Sequence, residues 1–250
     1  MTYCVGLRLD QGLVFASDTR TNAGFDNIAV FRKMHVWERR ADRVIVLLSA
    51  GNLSVSQSVV SRLNEAVDAA LQTRAFETTT PSINSCDTMF QVARMVGEAI
   101  REVRAVDGRA LEEGGSRFSA SFILGGQIQN EPPRLFQIYS EGNFIEATKD
   151  TPFFQIGEHK YGKPILDRVT RPDMTIGEAA KAVLLSFDST LRSNLSVGMP
   201  IDLLLYTRDT LKLGEQRRIA ADDDYFRRLS DSWSDGLRDA FDSVESYAPE

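Results

Sequence analysis

Residues 1–20 read MTYCVGLRLDQGLVFASDTR, and the fold is decided there. Tyr3, Val5, Leu7 and Leu9 alternate with Thr2, Cys4, Gly6 and Arg8, which is the period of a β-strand. Asp10-Gln11-Gly12 reads as a three-residue hairpin loop, with Gly12 able to take a left-handed conformation. Leu13, Phe15, Ser17 and Thr19 alternate on the way back. A loop over 10–12 sets Leu9 against Leu13, Leu7 against Phe15 and Tyr3 against Thr19, giving one apolar face across both strands. The same register sets Thr2 opposite Arg20 and Cys4 opposite Asp18. Thr2 and Asp18 then become diagonal neighbours on one face.

Thr2 follows Met1 directly. Methionine is normally removed before a small residue, and its removal leaves Thr2 with a hydroxyl and a free α-amine. Such an amine has an ordinary pKa of about 7.7–8.0, so it can serve as base for its own hydroxyl. From the N-terminus alone the plainer reading is better: Thr2 is the first residue of an edge strand.

The chain has 250 residues and a net charge of −6, enough for one large domain or two small ones. The acidic balance offers no basic stripe for phosphates, which argues against a nucleic-acid partner. No apolar run is long enough to span a membrane, and the N-terminus lacks a secretory pattern. Cys4 and Cys86 make neither a disulfide framework nor a metal cluster, so the expected setting is cytoplasmic, with reduced thiols, no metal and no cofactor.

Further along, residues 28–34 read as a third strand and RVIVLLSA, 43–50, as a strand covered on both faces. Val59, Leu63, Val67 and Leu71 fall on one stripe of a helix over 52–72. Residues 74–85 form a Thr-, Ser- and Pro-rich loop. A second helix over 87–106 carries Met89, Val92, Val96, Ala99 and Val103 as a seam, read as core before subunit contact. Short strands are expected at 119–124, 135–139, 143–147 and 153–156. A helix over 175–193, strands at 201–206 and 211–219, and a tail helix over 223–244 complete the pass. On the tail, Phe226, Leu229, Trp233, Leu237 and Phe241 share a side. The run Asp222-Asp223-Asp224 suits a helix N-terminus better than a metal. The order is strands, two helices, strands, two helices, without βαβα alternation. No linker interrupts it, so residues 1–250 are read as one domain, with 220–250 as its helical extension.

The segments TYCVGLRLDQGLVFASDTR, FRKMHVW, VIVLLSAGN, IGEHKYGKPILDR and RSNLSVGMPIDLLLY carry a resemblance. In that order, over most of the chain, they resemble the proteasome β-subunit and HslV-type peptidases, and among them the bacterial ancestral β-subunit (Anbu) group. The resemblance implies an α+β fold, the four-layer αββα sandwich of the N-terminal-nucleophile hydrolases. Thr2 matches the family nucleophile, Asp18 its acidic residue, Lys33 its lysine and Gly51 the glycine of the oxyanion hole. Ser196 matches an accessory serine near the terminal amine, and Ser49 a residue lining the pocket for the side chain before the cut. The implied chemistry is attack by the Thr2 hydroxyl on a peptide carbonyl, with the α-amine as base. Lys33, held as an ammonium by Asp18, keeps the site electropositive. One oxyanion N–H is worth about 2.7–4 kcal/mol in such a transition state. Two positions depart from the pattern: Ser193 stands where an aspartate is common, and Glu158 where a serine is common. His35 and His159 are read as structural.

The resulting expectation is a threonine peptidase acting on peptides or unfolded proteins inside a ring or helical assembly of its own copies. Candidate subunit contacts are the helices at 52–72 and 87–106. No stretch identifies an unfoldase partner. A small Ser49 should leave the pocket roomy for large side chains. The rival readings are an amidase for small amides and a catalytically silent assembly subunit. The extra N-terminal helix of α-type subunits has no counterpart here, which weighs against the silent subunit.

Overall fold

The computed structural model describes residues 2–22, 28–72 and 81–248. The first strands are β1 Tyr3–Leu9, β2 Gly12–Asp18, β3 Arg20–Asn22, β4 Ile28–Val30, β5 Met34–Arg39 and β6 Arg43–Gly51, followed by helices α1 Leu53–Gln72 and α2 Met89–Glu113. Strands β7 Ala120–Ile128, β8 Arg134–Ile138, β9 Phe144–Glu146 and β10 Phe153–Gly157 come next. Helices α3 Lys163–Val169 and α4 Ile176–Ser193, strands β11 Ile201–Thr207 and β12 Gln216–Ile219, and helix α5 Asp224–Ser243 complete the described chain.

One sheet runs β10-β1-β2-β11-β12, another runs β5-β6-β7-β8-β9, and β3 and β4 form a separate ribbon. Three apolar clusters show what each face covers. Ile45, Leu47, Phe122, Leu124 and Phe136 of the second sheet meet Val55, Val59, Leu63, Val92 and Val96 of α1 and α2. The other face of that sheet gives Val44, Val46, Leu48 and Ile123 to a cluster shared with Cys4, Leu13, Phe15, Phe154 and Leu204 of the first. The far face of the first sheet sends Tyr3, Val5, Leu7, Val14 and Ala16 against Ala179, Val183 and Phe187 of α4 and Phe226 of α5. A buried Leu, Val, Ile or Phe contributes about 1.5–3 kcal/mol, so these contacts dominate the fold. The two free cysteines are both buried, in different clusters: Cys4 between the sheets and Cys86 under α1 and α2.

Helix ends follow from local chemistry. The Gln91 N–H donates to the Thr88 hydroxyl at 3.2 Å ahead of α2. Thr175 and Glu178 make a reciprocal capping box at α4. Asp223 accepts from the Phe226 N–H at 2.9 Å, so the middle of the aspartate run caps α5.

The hairpin register differs from the sequence expectation by one residue. Leu9 pairs with Gly12, Leu7 with Val14, Gly6 with Phe15 and Cys4 with Ser17. The loop is therefore Asp10-Gln11, two residues rather than three, and Asp18 lies opposite Tyr3 rather than Cys4. Both strands are buried on both faces, so apolar alternation carries no phase information. Gly12 is needed for a different reason than the loop. Its φ is +150°, and a Cβ there would sit 1.9 Å from the Tyr206 carbonyl oxygen.

Other boundaries moved less. The strand expected at 28–34 is two, β4 and β5, with Phe31, Arg32 and Lys33 between them. Helix α2 runs on to Glu113, and the strand expected at 211–219 begins only at Gln216. Helix α3 was not expected: it is seven residues long and has Pro164 in its first turn, too short to show a period. Of the loop expected at 74–85, residues 74–80 lie outside the described residues. Among the described residues no helix is long and apolar enough to cross a membrane.

Candidate active site

The site is assembled where β1 begins. Thr2 precedes the first strand residue and is half-buried. The next residue fixes its neighbour: the Tyr3 N–H donates to Asp18 Oδ1 at 3.0 Å. Asp18 ends β2 and is fully buried. It also accepts from Lys33 Nζ at 2.7 Å and, on Oδ2, from the Gly198 N–H at 3.4 Å. Burial pushes the Asp18 carboxyl above its ordinary range, and the Lys33 ammonium and the two backbone N–H groups act against that rise.

Lys33 sits in the break between β4 and β5, with 4% of its surface exposed. The break frees its side chain to run inward rather than along a strand face. Its Nζ also donates to the Arg20 carbonyl at 2.5 Å. Its own carbonyl accepts from the Ser49 N–H at 2.9 Å, which ties the break to β6. The Ser49 hydroxyl reaches the same carbonyl at 3.5 Å, and the Ser49 carbonyl accepts from the Cys4 thiol. Burial pushes that thiol strongly up, so it is a packed SH group and not a nucleophile.

Gly51 closes β6 with a φ of +112°, and a Cβ there would lie 2.4 Å from the Ser119 carbonyl oxygen. Thr2, Lys33, Ser49 and Gly51 line one cleft of about 660 Å³, together with Thr21, Asn52 and Ser116. Of these seven residues Lys33 alone is charged. The arrangement offers a hydroxyl, a cation and a glycine backbone around a solvent-reached space.

The accessory serines divide. Ser196 is linked inward through its N–H, which donates to Asn194 Oδ1 at 2.9 Å, while Asn194 Nδ2 donates to Glu158 Oε2 at 3.0 Å. Ser193 is exposed at the end of α4, and no contact brings it to Thr2. His35 is pulled down in pKa by burial on β5, away from this cleft. His159 is exposed, beside the Gly157 carbonyl.

Sequence reasoning missed three participants: Gly157, Asn194 and Gly198. Gly157 has a φ of +82°, and a side chain there would strike the Thr2 carbonyl oxygen at 1.9 Å. The first glycine of IGEHKYG was the available signal. Asn194 and Gly198 act through loop closure, which leaves no local pattern. Among the described residues no group of His, Cys, Asp and Glu could hold a metal ion.

Comparison with known proteins places the chain. Residues 101–204 match the proteasome subunit family. No curated protein matches. Among solved structures, Anbu from Hyphomicrobium sp. strain MC1 is 57% identical, covering 99% of this chain and 100% of that one at a TM-score of 0.90. Anbu (ancestral beta-subunit) from Yersinia bercovieri is 45% identical over 100% of both chains, also at 0.90. The helical assembly of the Anbu complex from Pseudomonas aeruginosa is 47% identical, covering 99% of this chain and 98% of that one, at 0.90.

Proposed function

The chain belongs to the Anbu family of proteasome-type subunits, and from that premise we propose that it is a threonine peptidase. One observation carries the reading: Asp18 of the buried Asp18–Lys33 pair accepts from the backbone N–H of Tyr3, the residue after Thr2, and Lys33 and Thr2 line the same cleft. We read the three apolar clusters as the four-layer αββα sandwich of the N-terminal-nucleophile hydrolases, in one domain with α5 as its extension.

With Thr2 as first residue, its α-amine takes the hydroxyl proton while Oγ attacks a peptide carbonyl. The Gly51 N–H stabilises the resulting oxyanion. The amine's proton passes to the leaving nitrogen, the C–N bond breaks, and an acyl-enzyme ester remains. Water then attacks the ester, gives a proton to the amine and frees Thr2. Lys33 supplies positive charge beside these steps and Asp18 holds it there. The uncharged walls and the short Ser49 side chain favour a polypeptide with a large residue before the cut. A library cleaved only after Gly or Ala would contradict that preference. Self-association follows from kinship with a protein that forms a helical assembly.

The test is turnover of an amide substrate by three forms at equal assembly: chain beginning at Thr2, chain retaining Met1, and Thr2→Ala. Only the first should turn over, and Thr2→Ser should keep part of its rate. Equal activity with Met1 retained would remove the α-amine as base and end the reading. Small amides turned over in preference to peptides would make it an amidase.

A further inference from the structure

The chain beside Thr2 holds a carboxylate that the chemistry above does not use. The β1–β10 ladder runs from Leu7 opposite Phe153 to Tyr3 opposite Gly157. One step on, the Glu158 N–H donates to the Thr2 carbonyl at 2.7 Å, so Glu158 is Thr2's cross-strand partner. Glu158 is 9% exposed. One carboxylate oxygen accepts from the Asn194 side-chain amide at 3.0 Å, and that amide is oriented by the Ser196 N–H. Among the described residues no lysine, arginine or histidine pairs with it. A nearly buried carboxylate with only a neutral donor is costly, and the cost is relieved by a cation. The cation its strand partner can supply is an α-ammonium, and Thr2 acquires one when it becomes the first residue.

We propose that Glu158 is the positioning residue for the Thr2 α-amine: its carboxylate pairs with the ammonium, aims it, and raises its pKa. This rests on the peptidase reading and adds a setting of working pH to it. Two charges act on the amine in opposite senses. The Lys33 ammonium disfavours a second positive charge, and Glu158 favours it. Asp18 is engaged by Lys33 and two backbone N–H groups. Arg20 directs its guanidinium to the Leu195 carbonyl, Cys4 is a buried thiol, and His159 is an exposed imidazole in the same turn as Glu158. Of these groups, Glu158 is the carboxylate left to hold the amine. A higher amine pKa makes a stronger base that is deprotonated at a higher pH, so activity rises late on the acid side.

The experiment uses Glu158→Gln, which keeps an oxygen for Asn194 and removes the charge, and Glu158→Ala as a second variant. Both are made as fusions whose removal leaves Thr2 first. The α-amine is titrated by NMR on threonine-labelled protein, and amide turnover is followed against pH. Glu158→Gln should lower the amine pKa by about one unit and move the acid limb of the rate profile down by the same amount. Glu158→Ala should shift both in the same direction. An amine that titrates identically in wild type and both variants overturns the proposal, even if all three hydrolyse substrate. A shifted amine in a protein that never turns over substrate leaves the proposal standing and removes the peptidase reading.

Discussion

At the scale of single residues the deciding feature is an ion pair with almost no water. Lys33 Nζ and Asp18 Oδ1 lie 2.7 Å apart, with side chains 4% and 0% exposed. Breaking such a pair leaves one charge buried and alone, which costs about 3–5 kcal/mol. Asp18→Asn alone should therefore lower the urea midpoint strongly, as should Lys33→Met. The double variant should recover most of the loss while remaining inactive. Additive losses in the double would mean that the pair is not a unit. Tyr3 makes a second prediction. Burial pushes its phenol up to about 12 from 10. The Gln155 amide donates to its oxygen at 2.6 Å, and the Ser186 hydroxyl lies 3.0 Å away. The folded form holds the proton more tightly, so this contribution is complete below pH 10 and is lost as pH rises through 12. At 1.36 kcal/mol per unit it amounts to about 2–3 kcal/mol. Chemical denaturation between these pH values should fall less steeply for Tyr3→Phe, and equal slopes would refute the assignment.

At the scale of elements, the glycine that ends β10 governs where β1 starts. A methyl group on Gly157 would meet the Thr2 carbonyl oxygen at 1.9 Å, and its φ of +82° is strained for any other residue. Gly157→Ala should cost about 1–3 kcal/mol. It should also reduce turnover by about a hundredfold through displacement of Thr2. Unchanged kcat in that variant would show that β10 does not position Thr2. The same elements explain what was legible beforehand. Helices α1, α2 and α4 were readable because their apolar residues recur at helical spacing. The pairing of β1 with β2 was not, because a strand covered on both faces gives no reason to prefer one phase. Asp18 still reaches the Thr2 region, opposite Tyr3 and through a backbone N–H rather than a diagonal side-chain contact. Lys33 was legible through family resemblance alone, since its burial depends on a strand break that FRKMHVW does not announce. Asn194 and Gly198 come from a loop after α4, and only tertiary closure gives them a role.

At the scale of the whole molecule, apolar surface is left exposed on α1, α2 and α5. The seam expected on α2 is core, with Met89, Val92, Val96, Ala99 and Val103 buried, while the stripe on α1 is buried at Val59 and Leu63 and ends on exposed Leu71. Leu71, Phe90 and Val106 are exposed there, on two different helices. Helix α5 docks through Phe226, then leaves Leu237 and Phe241 exposed, and the chain continues with exposed Val244 and Tyr247. A contiguous apolar stripe of this kind is what a second copy would cover. The pair Leu237→Glu and Phe241→Glu should lower the mass seen by light scattering at micromolar concentration, with little change in the thermal midpoint. An unchanged mass would move the contact elsewhere. The two buried thiols lead to something of a different nature. Cys4 and Cys86 report on separate strata of the interior, and neither reacts unless its own stratum opens. The rate at which each is alkylated is therefore a local clock. Single-cysteine variants would time the parting of the two sheets and the lifting of the helices independently, in the intact assembly and without denaturant.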